Sequence, residues 1–348
     1  MATITRREAL SSIGAATVAA YASPAIGQSL ENVSAGRLSL ISDSAFFIAE
    51  KKGFFRDAGV NVTWTTFPSS QQVVAPLAAG QIDVAGAACG AGIWNAIGRK
   101  IPIKIVGDRG IDTPRYGTSV LVVRSDLAKS GRFKKLADLK GLRVAEPGKG
   151  STNLAILAKI LRRARVSYDD IQHLYLPFAD QVAALRNGSM DAGILVEPYA
   201  TVAIREGSAH RVLSDDTVYP NHQISVLLYG TQFIARRPDA ARKFMIGYVR
   251  GLRYYHDALR NGRLSGPTAN DVIDILQSEL KLPDPSVFRA LTPSSVNPDG
   301  YVNVQSLLDD YTIFKDYGLI VDETSVPQAV DMRYVEQAYK VLGRYRPA

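Results

Sequence analysis

Val74-Ala75-Pro76-Leu77-Ala78-Ala79-Gly80-Gln81-Ile82-Asp83 and Val182-Ala183-Ala184-Leu185-Arg186-Asn187-Gly188-Ser189-Met190-Asp191 are two copies of one pattern. Each carries Val-Ala, then Leu, then Gly, then an apolar residue before Asp. Apolar residues at helical spacing, a glycine stop and the entry to a strand describe one segment of an α/β unit. Two such segments in corresponding places predict two lobes built on one plan. Their separation is too wide for a solenoid, whose units recur every ~20–50 residues.

Working outward from the first copy, Arg37-Leu38-Ser39-Leu40-Ile41 reads as a strand by alternation, and Ala45 to Lys52 as a helix capped by Ser44 or Asp43 and stopped at Gly53. Val60 to Phe67 is β-branched and aromatic, a second strand; Ser69 or Ser70 caps a helix to Ala79, and Ile82 to Gly86 and Ile103 to Val106 are further strands. Around the second copy, strands are expected at Gly141–Ala145, Ile171–Leu176 and Ala192–Val196, with helices at Ser151–Arg163 and Asp180–Asn187. Strands alternating with helices predict an α/β fold with largely parallel sheets. Two apolar runs, Gly117 to Val123 and Ile224 to Tyr229, are expected to be the crossings between lobes. The tail is helical, with Pro238 to Arg260 and Asp271 to Leu280 strongly patterned, and is expected to complete the first lobe. The expected division is therefore 36–118 with 229–348 for lobe 1 and 119–228 for lobe 2.

The chain of 348 residues, 46% hydrophobic, has the length for two lobes and an ordinary globular composition. Past the first thirty residues no apolar run is long enough to cross a bilayer. A single cysteine, Cys89, excludes an intramolecular disulfide and a Cys-rich metal site. The N-terminus has another layout: Thr5-Arg6-Arg7-Glu8-Ala9-Leu10, an uncharged Ala-rich stretch from Ser11 to Ala22, then Ser23-Pro24-Ala25-Ile26-Gly27. This is the layout of a bacterial export signal over 1–27, cleaved near Gly27, and the paired arginines are similar to the twin-arginine type. The formal charge is +8, and setting aside Arg6, Arg7 and Glu8 leaves +7. The basic residues are scattered and no aromatic-interleaved basic motif appears, so no nucleic-acid partner is expected.

In open parallel sheets, ligands bind at the carboxyl ends of strands, where helix N-termini offer free N–H groups. The loops in that position carry Ser42, Asp43 and Phe46; Phe67 and Ser69; Gly86, Ala87 and Ala88; Gly148, Ser151 and Thr152; and Glu197 and Tyr199. Together with Tyr116 these are the candidate ligand-binding residues. Pro147-Gly148-Lys149-Gly150-Ser151-Thr152 is superficially like a phosphate loop, but Lys149 precedes Gly150 and the Gly-x-x-x-x-Gly-Lys-Ser/Thr spacing is absent. It reads better as a capped helix start, where Ser151 or Thr152 can hydrogen-bond a carboxylate, a sulfonate or a ring nitrogen. Glu197 could orient a ligand amine, and Phe46, Phe67, Tyr116 and Tyr199 could enclose an apolar or planar ligand. The four histidines, His173, His210, His222 and His256, show no metal-ligand spacing and no link to a nucleophile. No cofactor, metal or catalytic residue is expected.

Ser42-Asp43-Ser44-Ala45-Phe46-Phe47-Ile48-Ala49-Glu50-Lys51-Lys52-Gly53-Phe54-Phe55, then Gly59-Val60-Asn61-Val62, Ala79-Gly80-Gln81-Ile82-Asp83-Val84 and Glu197-Pro198-Tyr199 together resemble the nitrate/sulfonate/taurine and thiamine-precursor group of periplasmic binding proteins. The resemblance covers most of residues 37 to 235. It implies a type II periplasmic-binding fold, two α/β lobes joined by two crossings with a ligand cleft between them. It further implies a periplasmic, monomeric solute-binding component of an ABC importer that closes on a sulfonate, carboxylate, inorganic anion or pyrimidine-like solute and delivers it to a membrane permease. Two alternatives on the same fold are a ligand-sensing domain with a separate signalling partner and an enzyme making the thiamine pyrimidine. The second uses a Cys-rich motif and pyridoxal phosphate, and this chain lacks that motif.

Overall fold

A computed structural model of the chain describes residues 29–282, 284 and 286–348; the expected export signal lies outside them. β1 (Glu31–Arg37) leads through a turn at Ile41–Asp43 into α1 (Ser44–Lys51) and α2 (Phe54–Asp57), followed by β2 (Val60–Thr66), α3 (Val74–Ala78), β3 (Val84–Ala87), α4 (Ala91–Gly98) and β4 (Ile103–Asp112). A second series follows: β5 (Ser119–Arg124), α5 (Ser125–Lys129), β6 (Arg143–Glu146), α6 (Thr152–Ala164), β7 (Gln172–Tyr175), α7 (Phe178–Asn187), β8 (Ala192–Val196), α8 (Tyr199–Arg205) and β9 (Ala209–Ser214). β10 (His222–Gly230) precedes a helical tail of α9 (Thr231–Arg236), α10 (Pro238–Asp257), α11 (Ala269–Leu280), α12 (Val287–Ala290), α13 (Val304–Asp316), α14 (Val326–Ala329) and α15 (Arg333–Leu342).

The strands form two five-stranded sheets, β2-β1-β3-β10-β4 and β7-β6-β8-β5-β9. In each, four strands run in one direction and the fourth in order runs antiparallel to both its neighbours: β10 between β3 and β4, and β5 between β8 and β9. The two sheets therefore have one topology, as the sequence repeat predicts. The chain passes from the first sheet to the second through 113–118 and back through 215–221. The apolar runs expected to be crossings are instead these fourth strands. Val120 to Val123 and Val226 to Tyr229 are sealed on both faces, which is why they read as continuous apolar segments. The first strand also differs: it is Glu31–Arg37, because Ser39, at φ 55°, stands in the left-handed region and breaks the alternation of Leu38 and Leu40. The helical tail packs on the first sheet, α10 across α1 and β1, with Phe244, Tyr248 and Leu252 fully buried against Phe46 and Phe55.

The repeat has one structural job in each sheet. Gly80 and Gly188, at φ 71° and 78°, stop their helices in a conformation that side chains resist. Three residues on, the Asp83 N–H donates to the Ser34 carbonyl at 2.8 Å while its Oδ2 accepts the Ser34 N–H at 2.8 Å. Asp191 does the same to Arg143, at 2.9 and 3.0 Å. Ser34 lies in β1, the strand that pairs with β3, and Arg143 begins β6, the strand that pairs with β8. Arginines complete each carboxylate: Arg237 on Asp83, and Arg124 and Arg143 on Asp191. The side-chain bond from Arg143 holds the Asp191 carboxyl below the usual range against the opposing effect of burial. Asp191→Ala is expected to destabilise the protein by about 1.5–3 kcal/mol, the scale of a hydrogen bond to a charged group, with Asp191→Asn intermediate; urea unfolding of the three proteins checks it.

The two passages are tied at their ends by buried polar groups. Asp112 accepts the Thr118 N–H at 3.0 Å and the Thr118 hydroxyl, and its carbonyl accepts the Asn221 N–H. His222, fully buried, places Nε2 3.0 Å from Asp310 Oδ2 and Nδ1 3.8 Å from Asp215 Oδ2, with the Tyr219 ring stacked on it at 4.2 Å. Burial works against a charged imidazole here, but Asp310 and Asp215 outweigh it and raise the His222 pKa to about 9. Its stabilising contribution is complete below 6.5, its ordinary value, and is lost as pH climbs to about 9. The melting temperature is expected to fall across that window in calorimetry at stepped pH. His222→Gln should start less stable and flatten the slope; an equal slope in both proteins would remove His222 as its source.

Candidate functional site

Between the sheets lies a cleft of about 270 Å³, bounded by residues at the carboxyl ends of the parallel strands. From the first sheet come Leu38, Leu40 and Ser42 after β1, Pro68 to Gln71 after β2, Ala88 and Gly90 after β3, Arg109 from β4, and Ile224 and Ser225 from β10. From the second come Ser119, Pro147, Ser151 to Asn153 at the start of α6, Pro177 to Ala179 at the start of α7, Val196 and Tyr199. A smaller cavity of about 110 Å³ lies at the other end of β3, beside the Asp83–Arg237 pair. The charges there satisfy each other within the strand clamp, so it reads as structure.

The strongest charge in the cleft belongs to Arg109, which is 1% exposed. Its Nε and Nη2 both donate to Asp43 Oδ1, at 2.9 and 2.6 Å. Asp43 Oδ2 accepts the N–H groups of Leu38 and Leu40, at 3.0 and 3.1 Å, so one carboxylate fixes both the guanidinium and the turn that borders the cleft. Gly86 backs the arginine: a Cβ there would lie 2.7 Å from Arg109 Cδ and 2.9 Å from the Phe46 ring. Ser151 and Ser225 line the cleft from opposite lobes, and the Oγ of each is buried and has no hydrogen-bond partner among the described residues. Ser151 does not cap α6 with its side chain; the Leu154 N–H goes to the Ser151 carbonyl at 3.0 Å, and Thr152 and Asn153 at the positive end of that thirteen-residue helix border the cleft. The opposite wall is apolar and aromatic, with Phe178 and Tyr199 stacked at 5.9 Å.

Of the expected site residues, Ser42, Ser69, Ala88, Ser151, Thr152 and Tyr199 line the cleft. Asp43 and Gly86 lie behind Arg109 and act through it. The others stand elsewhere. Phe46 is a core residue, 5.0 Å from Trp64 and 5.1 Å from Tyr248, and Ala87 is sealed in the same lobe. Phe67 packs over Gly36 outside the cleft lining, Tyr116 belongs to the first passage, and Gly148, not itself a lining residue, faces the side chain of the lining Gln71. Glu197 does not face a ligand: it is fully buried and accepts the Thr201 N–H and hydroxyl, both at 2.9 Å, with Arg211 at 3.4 Å, while burial pushes its carboxyl up. It therefore closes α8 and is unavailable to a ligand amine.

Arg109, Ser225 and Phe178 went unread in the sequence. Gly107-Asp108-Arg109-Gly110 follows the apolar run Ile103 to Val106, and ending the strand at Val106 hid the fact that it continues to Asp112 with two charges inside it. Asp108 is equally buried, pushed up to about 7 by burial despite its bonds from Gln223 and the Asn297 N–H. Charges within a strand between glycines are the signal that would have found the site.

The lobes touch across the cleft mouth. The Ala91 N–H at the start of α4 donates to the Gly150 carbonyl at 2.8 Å, and a Cβ on Gly90 would stand 2.6 Å from that oxygen. Arg162 of α6 meets Asp316 of α13 at 3.1 Å, and the Tyr168 and Tyr317 rings meet at 4.8 Å.

Comparison with known proteins agrees with this architecture. A protein of Escherichia coli (strain K12) named for binding aliphatic sulfonates is 28% identical over 277 residues, 78% of each chain. The periplasmic nitrate-binding protein NrtA of Synechocystis PCC 6803 superposes with a TM-score of 0.72 at 15% identity, over 90% of this chain and 89% of that one. The desulfurization enzyme DSZB does so at 0.63 and 13% identity, over 90% and 99%. Such distant superpositions establish the fold, a periplasmic-binding-protein architecture that carries both binding proteins and an enzyme. The profile of the NMT1-like family matches residues 28–261, well over half of the sequence. This chain belongs to the NMT1-like family.

Proposed function

We propose that the protein is the periplasmic solute-binding component of an ABC importer, which holds a small organic anion between its lobes and passes it unaltered to a membrane permease. The observation that carries this reading is the cleft itself. Its only ionisable lining side chains among the described residues are Arg109 and Tyr199, joined by two buried hydroxyls with no partner of their own. Buried hydroxyls without partners are costly, and an anion would satisfy both. No histidine, cysteine or carboxylate lines the cleft among the described residues, which favours capture over turnover and disfavours a protonated pyrimidine. The relative named for aliphatic sulfonates supports an organic sulfonate as the first ligand to try. Residues 1–27 would supply export, through the twin-arginine route or another, and the protein would act as a monomer.

In the same reading, the units that move are 29–112 with 222–348 on one side and 119–214 on the other, hinged at the two passages. The lobes would close on the ligand and exclude water.

Thermal shift and calorimetry with short alkanesulfonates, carboxylates and nitrate should find one class that binds, and a ligand at a hundred times its Kd adds about 2.7 kcal/mol. Ser151→Ala and Ser225→Ala are each expected to weaken that ligand by about 1.5–3 kcal/mol while leaving the free protein as stable as before, since neither hydroxyl has a partner to lose. Binding of uncharged analogues as tightly as anions, or recovery of an altered ligand, would sink the proposal.

Gly90→Ala is expected to prop the cleft mouth open and break the Ala91–Gly150 bond, weakening the ligand by about 1 kcal/mol or more. The unliganded melting temperature should fall as well, because the same hydrogen bond is lost without ligand. Small-angle scattering of the liganded variant would show a less compact particle than the wild type, and equal compaction would remove this contact from the closing mechanism.

A further inference from the structure

Building on the anion-binding reading above, we infer that the cleft selects by ligand valence, taking monoanions and rejecting dianions of the same shape, and that Asp43 sets this limit. Arg109 does not enter the cleft as a free cation. Asp43 Oδ1 already takes two of its donors, and both side chains are sealed from solvent, at 1% and 0% exposure. Neither can leave the other. Asp43 is held by the Leu38 and Leu40 N–H groups on its second oxygen, and Arg109 is backed by Gly86 and the Phe46 ring.

The empty cleft therefore carries a neutral pair, a ring of hydroxyls and the positive end of α6. A monoanion raises the buried charge to −1, spread over the remaining guanidinium edge, Ser151, Ser225 and the helix dipole. A dianion would place a second negative charge beside the Asp43 carboxylate with no further cation lining the cleft among the described residues. The other titratable groups around the pair do not help. Asp108, next in β4, turns toward Gln223 and Asn297, and Tyr248 of α10 donates its hydroxyl to the Asp108 carbonyl. A like charge forced into such a site is strongly disfavoured. The ligands admitted are sulfonates, carboxylates, nitrate and sulfate monoesters; those refused are phosphate monoesters, phosphonate dianions and inorganic sulfate.

The test uses ethyl sulfate and ethyl phosphate, which share a tetrahedral head and an ethyl body and differ in charge. A phosphate monoester loses its second proton near pH 6. Calorimetry on the full protein at pH 8 is expected to show ethyl phosphate binding about a hundredfold more weakly than ethyl sulfate. At pH 5, where ethyl phosphate is mostly a monoanion, the gap should close to within about tenfold. Ethyl sulfate does not titrate, so its affinity at the two pH values reports the protein's own groups, Asp108 among them. Asp43→Asn keeps an oxygen for Arg109 and removes the charge; folded variant is expected to narrow the gap at pH 8 to within about tenfold. If that variant does not fold, the pH series on the wild-type protein decides alone. Equal affinity for the two esters at pH 8, or an unchanged gap in folded Asp43→Asn, overturns the valence limit and leaves the anion reading standing. No binding of ethyl sulfate at either pH overturns this inference, while the anion reading is overturned only if the alkanesulfonates, carboxylates and nitrate fail to bind as well.

Discussion

A carboxylate at the foot of a strand, gripping the backbone N–H of the strand beside it, is the constraint on which both lobes depend. Asp83 and Asp191 each exchange two hydrogen bonds with one residue of the neighbouring parallel strand. Because side chains alternate along a strand, a slip of one residue would turn every buried side chain outward, and this reciprocal pair fixes the register at the end where slippage would begin. With the feet level, the opposite ends of β1, β2, β3, β6, β7 and β8 deliver their loops to one height, and the cleft is the space those loops leave. The arginines that neutralise each aspartate allow a charge to stand in that position at modest cost.

A second buried pair shapes what the cleft can do. In Arg109–Asp43 the polar partners come from β4 and from the turn after β1, two strands that are not neighbours in the sheet. The pair thus welds the cleft floor to its rim, and it needs Gly86 on β3, one of the two strands between them, to make room. Desolvating two charges is expensive, and their mutual attraction roughly offsets the cost only when every remaining lone pair is used. Asp43 meets that condition with four donors.

The repeat, the α/β class and the helical character of the tail could be read from the residues because each rests on local periodicity and turn chemistry. What could not be read depends on partners far away in the chain. Leu38-Ser39-Leu40 alternates like a strand, but its N–H groups go to Asp43 and Ser39 turns left-handed. Val120 to Val123 and Val226 to Tyr229 are apolar enough for a linker between lobes or a sealed strand, and only the sheet around them decides. The loops bearing Ser42, Ser69, Ala88, Ser151, Thr152 and Tyr199 follow from the rule that open sheets bind at their carboxyl ends. Glu197 beside Tyr199, and Phe46 in the first turn of α1 just past Ser42, point into the protein, since a place near the strand end does not give a side-chain direction. Arg109 escaped because a charge in mid-strand looks like an ending until its counter-charge is found.

The sheet order also carries a consequence for how the chain is made. β4 pairs only with β10 in the first sheet, and all of the second sheet lies between them in sequence. At 5–20 residues per second, β4 emerges from the ribosome roughly 5 to 20 s before its partner strand. For that interval the largely buried strand Ile103–Asp112 has a bare edge, while the contiguous second sheet can be completed alone. A nascent chain of this design stays unfinished until late in synthesis.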